Sequence, residues 1–270
     1  MNSLTTLFRN VYRYRYLIMQ MIKREIASRY QGSALGIVWS FLNPLLMLAV
    51  YTFVFSVVFK ARWGNVETEE SRIDFAITLF AGLIIFQLFT EIINRAPTLI
   101  LGNVNYVKKV IFPIELLPLI SIGVMLFHAG VSLLVLITAQ IIYKGSLPST
   151  IVYLPLILLP LLLAGLGVSW FLASISVYIR DISQIIGVFT TILMFVSAVF
   201  FPISALPENY QFIVKLNPLA IIINESRNSL IFGEPPDWGL LGLMMLIGLM
   251  LATGGYWWFQ KTRKGFADVL

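Results

Sequence analysis

The sequence predicts an all-α integral membrane protein with six transmembrane helices, and three observations lead to this prediction. Of the 270 residues, 59% are hydrophobic and only 12% are charged, whereas soluble domains are about 45–50% apolar. Six apolar stretches are long enough to cross a hydrocarbon core of about 30 Å at about 1.5 Å per residue. Basic residues are concentrated in alternate connections between these stretches. We therefore expect a single transmembrane domain covering residues 1–270.

The first predicted element is a basic amphipathic helix over residues 4–30. Apolar side chains such as Leu7, Val11 and Ile18 recur at helical spacing, while Arg9 and Arg13 lie on the other face. Such a helix can lie in the headgroup layer of a membrane. It is either a plain membrane anchor or a lever at a partner interface. We expect residues 1–34 to be this interface region and not a removed signal peptide.

The membrane domain is predicted to cover residues 35–260 in six crossings. The stretches contain almost no charge; Glu91 is the exception, and the third contains the only histidine, His128. We expect His128 to have a polar packing role, because no acid or metal ligand lies at helical spacing from it. The six stretches are 35–59, 75–93, 116–143, 145–179, 182–207 and 238–260.

The distribution of basic residues predicts the orientation of the six crossings. Thirteen lysines and arginines lie on the side of the two termini and six on the opposite side. Cytoplasmic segments carry this excess of positive charge. Both termini are therefore predicted to be cytoplasmic, as are the adjacent Lys108 and Lys109 and a tail at 261–270. Because the basic segments lie at membrane boundaries, we expect no nucleic-acid partner.

Residues 208–237, between the last two crossings, contain a helix that is too short to cross. Asn217 and Pro218 have the residue types of an N-cap and a first helical position. The 15 residues that begin at Pro218 rise only about 22 Å, and they include Glu225 and Arg227. We predict a re-entrant or interfacial outer helix within a gate segment at 203–233, where Pro202 and Pro207 interrupt the backbone.

Catalytic chemistry has little support in the sequence. There is no cysteine, no metal-ligand cluster and no phosphate-binding GxxxxGK[ST] loop. The sparse candidates Glu91, Glu115 and His128 do not obviously converge. We expect no cofactor in this chain, so any ATP would have to be bound by another subunit.

Three stretches resemble permease subunits of ABC transporters that export cell-surface polysaccharides. They are "REIASRYQGSALGIVWSFLNPLLMLAVY" (24–51), "NVNYVKKVIFPIELLPL" (103–119) and "YIRDISQIIGVFTTILMFVSAVFFPISALPENYQFIVKLNPLAIIINESRNSLIFG" (178–233). The resemblance implies a homodimer in a bacterial inner membrane, with two copies of a cytoplasmic ABC ATPase that holds ATP and Mg. It also implies a polyprenyl-diphosphate-linked cargo, most directly O antigen. The same architecture could export capsule, teichoic acid, lipid or drug, and a remote alternative is a membrane-embedded enzyme acting on polyprenyl-linked sugars.

The resemblance also implies roles for particular residues. The segment from about Pro97 to Pro113 would be a coupling helix that contacts the ATPase, and the turn at Arg180 and Asp181 would be a second contact. Candidate coupling residues are Asn103, Asn105, Tyr106, Lys108, Lys109, Arg180 and Asp181. Tyr51, Phe55 and Phe59 recur every four residues and are candidate channel-lining aromatics, or else lipid-facing packing residues. Lys23, Arg24 and Arg29 are candidate contacts for the lipid diphosphate, or else for membrane lipid headgroups. Outer-gate candidates are Pro202, Pro207, Asn217, Pro218, Glu225 and Arg227.

Overall fold

The structure is a computed structural model that describes residues 4–54, 69–108, 112–203 and 207–270. Every regular element in these ranges is helical, which confirms the all-α prediction. The α-helices are α1 (Leu4–Arg13), α2 (Arg15–Tyr30), α3 (Trp39–Tyr51), α4 (Glu69–Arg95), α5 (Thr98–Leu101), α6 (Val104–Lys108), α7 (Leu117–Lys144), α8 (Leu154–Ile175), α9 (Ile182–Val196), α10 (Glu208–Lys215), α11 (Pro218–Arg227), α12 (Trp238–Thr262) and α13 (Phe266–Val269).

Five helical segments of the described ranges are long and apolar enough to cross a membrane. They are Gly36–Val54, Ile73–Arg95, Ile114–Lys144, Ser149–Ile175 and Trp238–Val269. Each overlaps one of the predicted crossings. The first predicted crossing continues to residue 59, and its last five residues lie outside the described ranges.

The predicted fifth crossing at 182–207 is wrong as a continuous helix. α9 has 15 residues and rises about 22 Å, less than the thickness of a hydrocarbon core of about 30 Å. The helix stops because Ala198 has a φ of 50°, in the left-handed region. This conformation costs an L-residue about 1–2 kcal/mol, so other contacts must stabilise it.

Two other predicted boundaries are corrected by the structure. The single helix predicted over residues 4–30 is instead α1 and α2, which meet at Tyr14, where φ is −99° and ψ is 12°. The fourth crossing begins at Ser149 and not at residue 145, because Gly145 ends α7 with a φ of 70° and Pro148 is extended.

α4 lies at the centre of the bundle. Of its membrane-length window, 83% is buried inside the protein, and its side chains pack against α7, α8 and α11. α8 and α12 approach closely through glycines. A Cβ on Gly167 would lie 2.2 Å from the Leu251 carbonyl oxygen, and one on Gly255 would lie 2.0 Å from the Gly167 oxygen. Small residues at such crossings allow two helix backbones to touch.

A second core joins both chain ends at one end of the bundle, called here the terminal end. Leu7 of α1, Leu99 of α5, Trp170 of α8 and Phe266 of α13 are buried in this core. The Tyr178 hydroxyl donates to the Thr262 carbonyl at 3.0 Å. Residues 261–270, predicted as a tail, are therefore packed on the bundle. The opposite end, which carries α10 and α11, is called the distal end.

Candidate functional site

A polar cavity of about 420 Å³ lies among α2, α3, α4 and α7. Each of these elements contributes groups that can form hydrogen bonds. Gln87 faces it from α4 and is exposed, although nearly all of α4 from 75 to 88 is buried. The polar lining residues are Arg29, Tyr30, Ser40, Asn43, Tyr51, Gln87, Glu91, His128 and Ser132. A group of this kind inside an otherwise apolar bundle points to a functional site.

The charged residues of the cavity are only weakly paired. Arg29 Nη1 lies 3.8 Å from Glu91 Oε2, and the two side chains are 49% and 43% exposed. Such exposed pairs contribute little to stability. Both groups therefore remain available to a bound molecule.

His128 contacts Tyr30 at the cavity wall. The Tyr30 hydroxyl and His128 Nδ1 are 3.2 Å apart, and burial raises the pKa of Tyr30 above its ordinary value. His128 Nε2 is buried and has no hydrogen-bond partner among the described residues. This places His128 in a polar contact through one ring nitrogen and leaves the other buried and unpaired within the described residues.

The structure separates the basic residues predicted to act together on α2. Arg29 lines the cavity, beside the predicted channel residue Tyr51. Arg24 Nη2 instead donates to the Tyr106 hydroxyl at 3.1 Å, and Lys23 is exposed. Phe55 and Phe59 lie outside the described residues.

As far as Lys108, the predicted coupling segment forms two short helices in place of one. α5 and α6 are separated by Gly102 and Asn103, and the Asn103 side chain donates to the Leu99 carbonyl at 2.9 Å. Asn105 is exposed. α6 ends at Lys108, whose side chain is outside the described residues, as is all of Lys109.

α2 links this segment to the centre of the bundle. In addition to the bond from Arg24 to Tyr106, Glu25 forms an ion pair with Arg95 at the end of α4. Arg180 and Asp181 are exposed in the turn between α8 and α9. Over the described ranges, no hydrogen bond or ion pair joins them to α5 or α6.

Glu115 is a connecting residue that sequence reasoning did not identify. It is 3% exposed, and its carboxylate accepts from Asn10 Nδ2 and Arg263 Nη1, both at 3.1 Å. Its carbonyl accepts from the Trp170 indole at 3.0 Å. Both chain ends are thereby joined to the residue that follows the coupling segment. The one feature of the sequence that could have drawn attention to Glu115 is its position, an acid immediately before an uncharged crossing.

At the distal end, Asn217 joins the start of α11 to the end of α9. Its side chain caps α11 by accepting from Leu219 N at 3.0 Å, which confirms the predicted N-cap with Pro218 in the first turn. Its amide also donates to the Val196 carbonyl at 3.3 Å and the Ser197 hydroxyl at 2.9 Å. One side chain thus fixes both helix ends.

Arg227 stabilises the break that ends α9. It is 2% exposed, and its guanidinium donates to the carbonyls of Thr78, Ala198 and Val199 at 3.0, 2.9 and 2.6 Å. Gly82 makes room for it, because a Cβ there would lie 2.2 Å from Arg227 Nη2. The left-handed Ala198 is held by this contact.

The remaining predicted gate residues are at the same end. The buried Glu225 accepts from the Asp237 backbone N–H at 2.9 Å, immediately before α12. Pro202 lies in the irregular segment after α9, and Pro207 precedes α10. Together these residues surround a non-helical segment that is held by side chains of α11.

Comparison with known families decides what this bundle is. The model of the ABC-2 type transporter family matches residues 16–231. The chain belongs to this family. It is 27% identical to the O-antigen export system permease protein RfbA of Myxococcus xanthus over 97% of this chain and 98% of that protein. A Klebsiella pneumoniae protein of the same name is 24% identical over 94% and 95%, and the Escherichia coli polysialic acid transport protein KpsM is 22% identical over 86% and 89%.

Family membership makes this ABC-2 protein a multi-pass membrane component of a transporter and not an enzyme. The matched region includes the polar cavity, α5, α6 and α11, and it stops before α12. Glu91 and His128 do share the cavity, but Glu115 lies in the second core with Arg263. Within the described residues no group of three potential metal ligands occurs.

Proposed function

We propose that this chain is the channel-forming permease of an ATP-driven transporter that exports polyprenyl-diphosphate-linked polysaccharide, with O antigen as the cargo. The polar cavity among α2, α3, α4 and α7 is the observation that carries this proposal. Its volume of about 420 Å³ is in the range of small-molecule sites, about 300–1,000 Å³. Similarity to O-antigen export permeases supports the choice of cargo.

The lining of the cavity suits a sugar. Sugar hydroxyls both donate and accept hydrogen bonds, as do the neutral groups of Asn43, Gln87 and Ser132. Trp39 and Tyr51 add flat aromatic faces. We propose that Phe55 and Phe59 continue this surface, and that Arg29 contacts the diphosphate of the cargo while Lys23 and Arg24 lie nearer to lipid headgroups.

The proposed topology places the terminal end in the cytoplasm of a bacterium, with the bundle in the inner membrane. α9, together with the non-helical residues that follow it, then supplies the fifth of six crossings, and residues 203–233 form a re-entrant outer gate. The chain would then form a single transmembrane domain, in which residues 1–34 are the interface region. The excess of basic residues at the terminal end supports the orientation.

The proposed motor is a separate ABC ATPase, two copies of which act on a homodimer of this chain and hold ATP and Mg. The ATPase would contact this chain at residues 97–113 and at the turn formed by Arg180 and Asp181. The bond from Arg24 to Tyr106 and the ion pair from Glu25 to Arg95 support a path from this surface to α4.

Capsule polysaccharide is the second candidate cargo. The chain is also 27% identical, over 73% of its length, to the capsule polysaccharide export inner-membrane protein CtrC of Neisseria meningitidis serogroup B. Mass spectrometry of the complex extracted in mild detergent distinguishes the two cargoes and tests the partner. We expect an ATP-binding subunit at one copy per permease, with a lipid-linked glycan. Extraction of the permease without any ATP-binding subunit would contradict the proposal.

Variants of the cavity test where the cargo passes. Gln87→Leu removes a hydrogen-bonding group with little change in volume, and we expect the initial export rate to fall about fivefold, since about 1 kcal/mol is lost with one hydrogen bond. The control is Thr138→Val. Thr138 is exposed on α7 and, within the described part of the chain, its hydroxyl donates only to its own helix, at the Leu134 carbonyl. If Gln87→Leu and Thr138→Val exported glycan at the same rate, the cargo would not pass through the polar cavity.

A further inference from the structure

A continuous apolar trough runs along the outside of the bundle between α8, α9 and α12. It consists of two cavities of about 410 and 370 Å³, which share Val168, Phe171 and Leu251. Phe171 and Met250 are exposed, so the trough is open along its length. Apart from the start of α11 in the proposed outer gate, which lines its distal end, the residues assigned to the export path do not line this surface, which lies on another side of α4 from the polar cavity.

The trough is lined by hydrocarbon almost throughout. Its walls include Pro160, Ala164 and Ile247, and the one hydrogen-bonding side chain of the larger cavity is Asn217, at the distal end. At the other end, the Trp258 indole nitrogen is buried without a hydrogen-bond partner within the described part of the chain. Such a lining accommodates an alkyl chain and offers no sites to a sugar or a charged group.

The terminal end of the trough combines an aromatic ring with a cation. Met250, Gly254, Trp257 and Lys261 are separated by four, three and four residues, so they form one stripe along α12. The first three line the trough, and Lys261 Nζ lies 5.1 Å from the centroid of the Trp257 ring. Tryptophan and lysine at the end of a membrane helix are typical of the headgroup layer.

The length of the trough matches one leaflet. From Met244 to Trp257, α12 rises about 20 Å, and half of a hydrocarbon core of about 30 Å is about 15 Å. An acyl chain of the leaflet on the side of Lys261 therefore fits with room to spare.

Gly254 keeps the trough open. A Cβ on this residue would have nothing within 4 Å, whereas a Cβ on the neighbouring Gly255 would collide with the Gly167 backbone. The close packing of α8 on α12 thus explains Gly255 but not Gly254. A side chain at position 254 would extend into the trough.

We propose that the trough binds one anionic phospholipid, with an acyl chain along Val168, Phe171 and Leu251 and the phosphate headgroup at Lys261. The single positive charge over Trp257 is complementary to an anionic headgroup. This site is separate from the polar cavity and does not depend on the identity of the cargo.

The test is native mass spectrometry of the purified complex after equilibration with phosphatidylglycerol or phosphatidylethanolamine. We expect Gly254→Leu to lower bound phosphatidylglycerol about tenfold or more. Gly242→Leu is the matched control, because Gly242 is on the same helix, also has open space at its Cβ and lines neither cavity. Lys261→Gln should keep the site but lower the preference for phosphatidylglycerol about fivefold.

Three outcomes overturn the proposal. Equal phosphatidylglycerol in Gly254→Leu and Gly242→Leu would show that lipid does not occupy the trough. A retained isoprenoid in place of phospholipid would assign the trough to another chain chemistry. A change of oligomeric state in Gly254→Leu, with lipid unchanged, would assign it to a second copy of the protein.

Discussion

The two ends of the bundle each contain a buried charged side chain, but the two are held in different ways. At the distal end, Arg227 is 2% exposed and donates to three backbone carbonyls. At the terminal end, Glu115 is 3% exposed, and its carboxylate accepts from the side chains of Asn10 and Arg263. Arg227 therefore fixes main-chain geometry, whereas Glu115 joins separate segments of the chain.

This difference indicates how each end can change. The carbonyl acceptors of Arg227 move only if the backbone of α4 or of the segment after α9 moves, so the contact makes the distal end a rigid unit. The partners of the Glu115 carboxylate are the side chains of Asn10 and Arg263, near the two termini, so a change of rotamer can release them without moving the main chain. We expect substitutions to destabilise the whole bundle at the distal end and to free the chain ends at the terminal end.

The largest effect is expected for Arg227→Met. It removes three charge-assisted hydrogen bonds and leaves the Ala198 and Val199 carbonyls without this donor. The expected loss is about 4 kcal/mol, because each buried polar group left unsatisfied costs about 1–3 kcal/mol. The measurement is thermal unfolding of the detergent-solubilised protein, followed by its intrinsic fluorescence.

Two comparisons isolate the cause of that loss. Arg227→Lys keeps the charge but cannot reach three acceptors at once, so its stability should lie between those of the wild type and Arg227→Met. Gly82→Ala keeps the arginine and places a Cβ 2.2 Å from Arg227 Nη2, so it should also destabilise the protein. Wild-type stability in Gly82→Ala would contradict the geometry described for Arg227.

The second largest effect is expected for Glu115→Gln. The amide presents an N–H group toward Asn10 Nδ2 or Arg263 Nη1, both of which are donors, so one contact becomes repulsive. The expected loss is about 2 kcal/mol. The C-terminal residues should become more sensitive to carboxypeptidase, which is measured by the rate at which an epitope at Leu270 is removed.

Double substitution tests whether Glu115 acts through Arg263. In the double variant Glu115→Gln/Arg263→Gln, the loss of stability should be smaller than the sum of the losses in the two single variants, because the two side chains are in contact. In Arg227→Met the epitope should be removed at the wild-type rate under native conditions. Faster removal in that variant would abolish the distinction between the two ends.

A smaller effect is expected for Asn217→Ala, at about 1.5 kcal/mol. Loss of an N-cap costs about 1 kcal/mol, and the bonds to Val196 and Ser197 are lost as well. Asp237→Ala is the matched control, because the Asp237 side chain caps α12 through Gly239 N and Leu240 N alone. If both variants lost the same stability, the link from α11 to α9 would contribute nothing.

The sequence predicts the long central helices well and the breaks poorly, for a physical reason. Residues 75–93 and 116–143 are predominantly apolar, and hydropathy places them within two residues of the segments Ile73–Arg95 and Ile114–Lys144. The end of α9 is different, because Ser197 and Ala198 lie within a long uncharged run. What stops the helix there is Arg227, about 29 residues away in sequence, and local composition contains no trace of that contact.

The candidate site shows the same limit. Asn217 was predictable as an N-cap because Pro218 follows it, and Arg227 was predictable as a charge that prevents a crossing. The partners of Glu115 are 105 and 148 residues away, so a single sequence cannot pair them. Arg29 and Tyr51 were predicted for separate roles, and only the fold places them on one cavity.

The smallest effect on stability, and the sharpest test of the terminal end, is expected for Tyr106→Phe. This variant removes the hydroxyl that accepts from Arg24 and keeps the ring, whose centroid lies 5.0 Å from that of Phe112. Stability should stay within about 0.5 kcal/mol of the wild type, because the half-buried ring is kept and the lost hydrogen bond is exposed. If the terminal end transmits force from residues 97–113 to α2, export per ATP hydrolysed should nevertheless fall, and Arg24→Gln should reproduce the defect. Unchanged coupling in both variants would leave the terminal end as a static connection, no different in kind from Arg227.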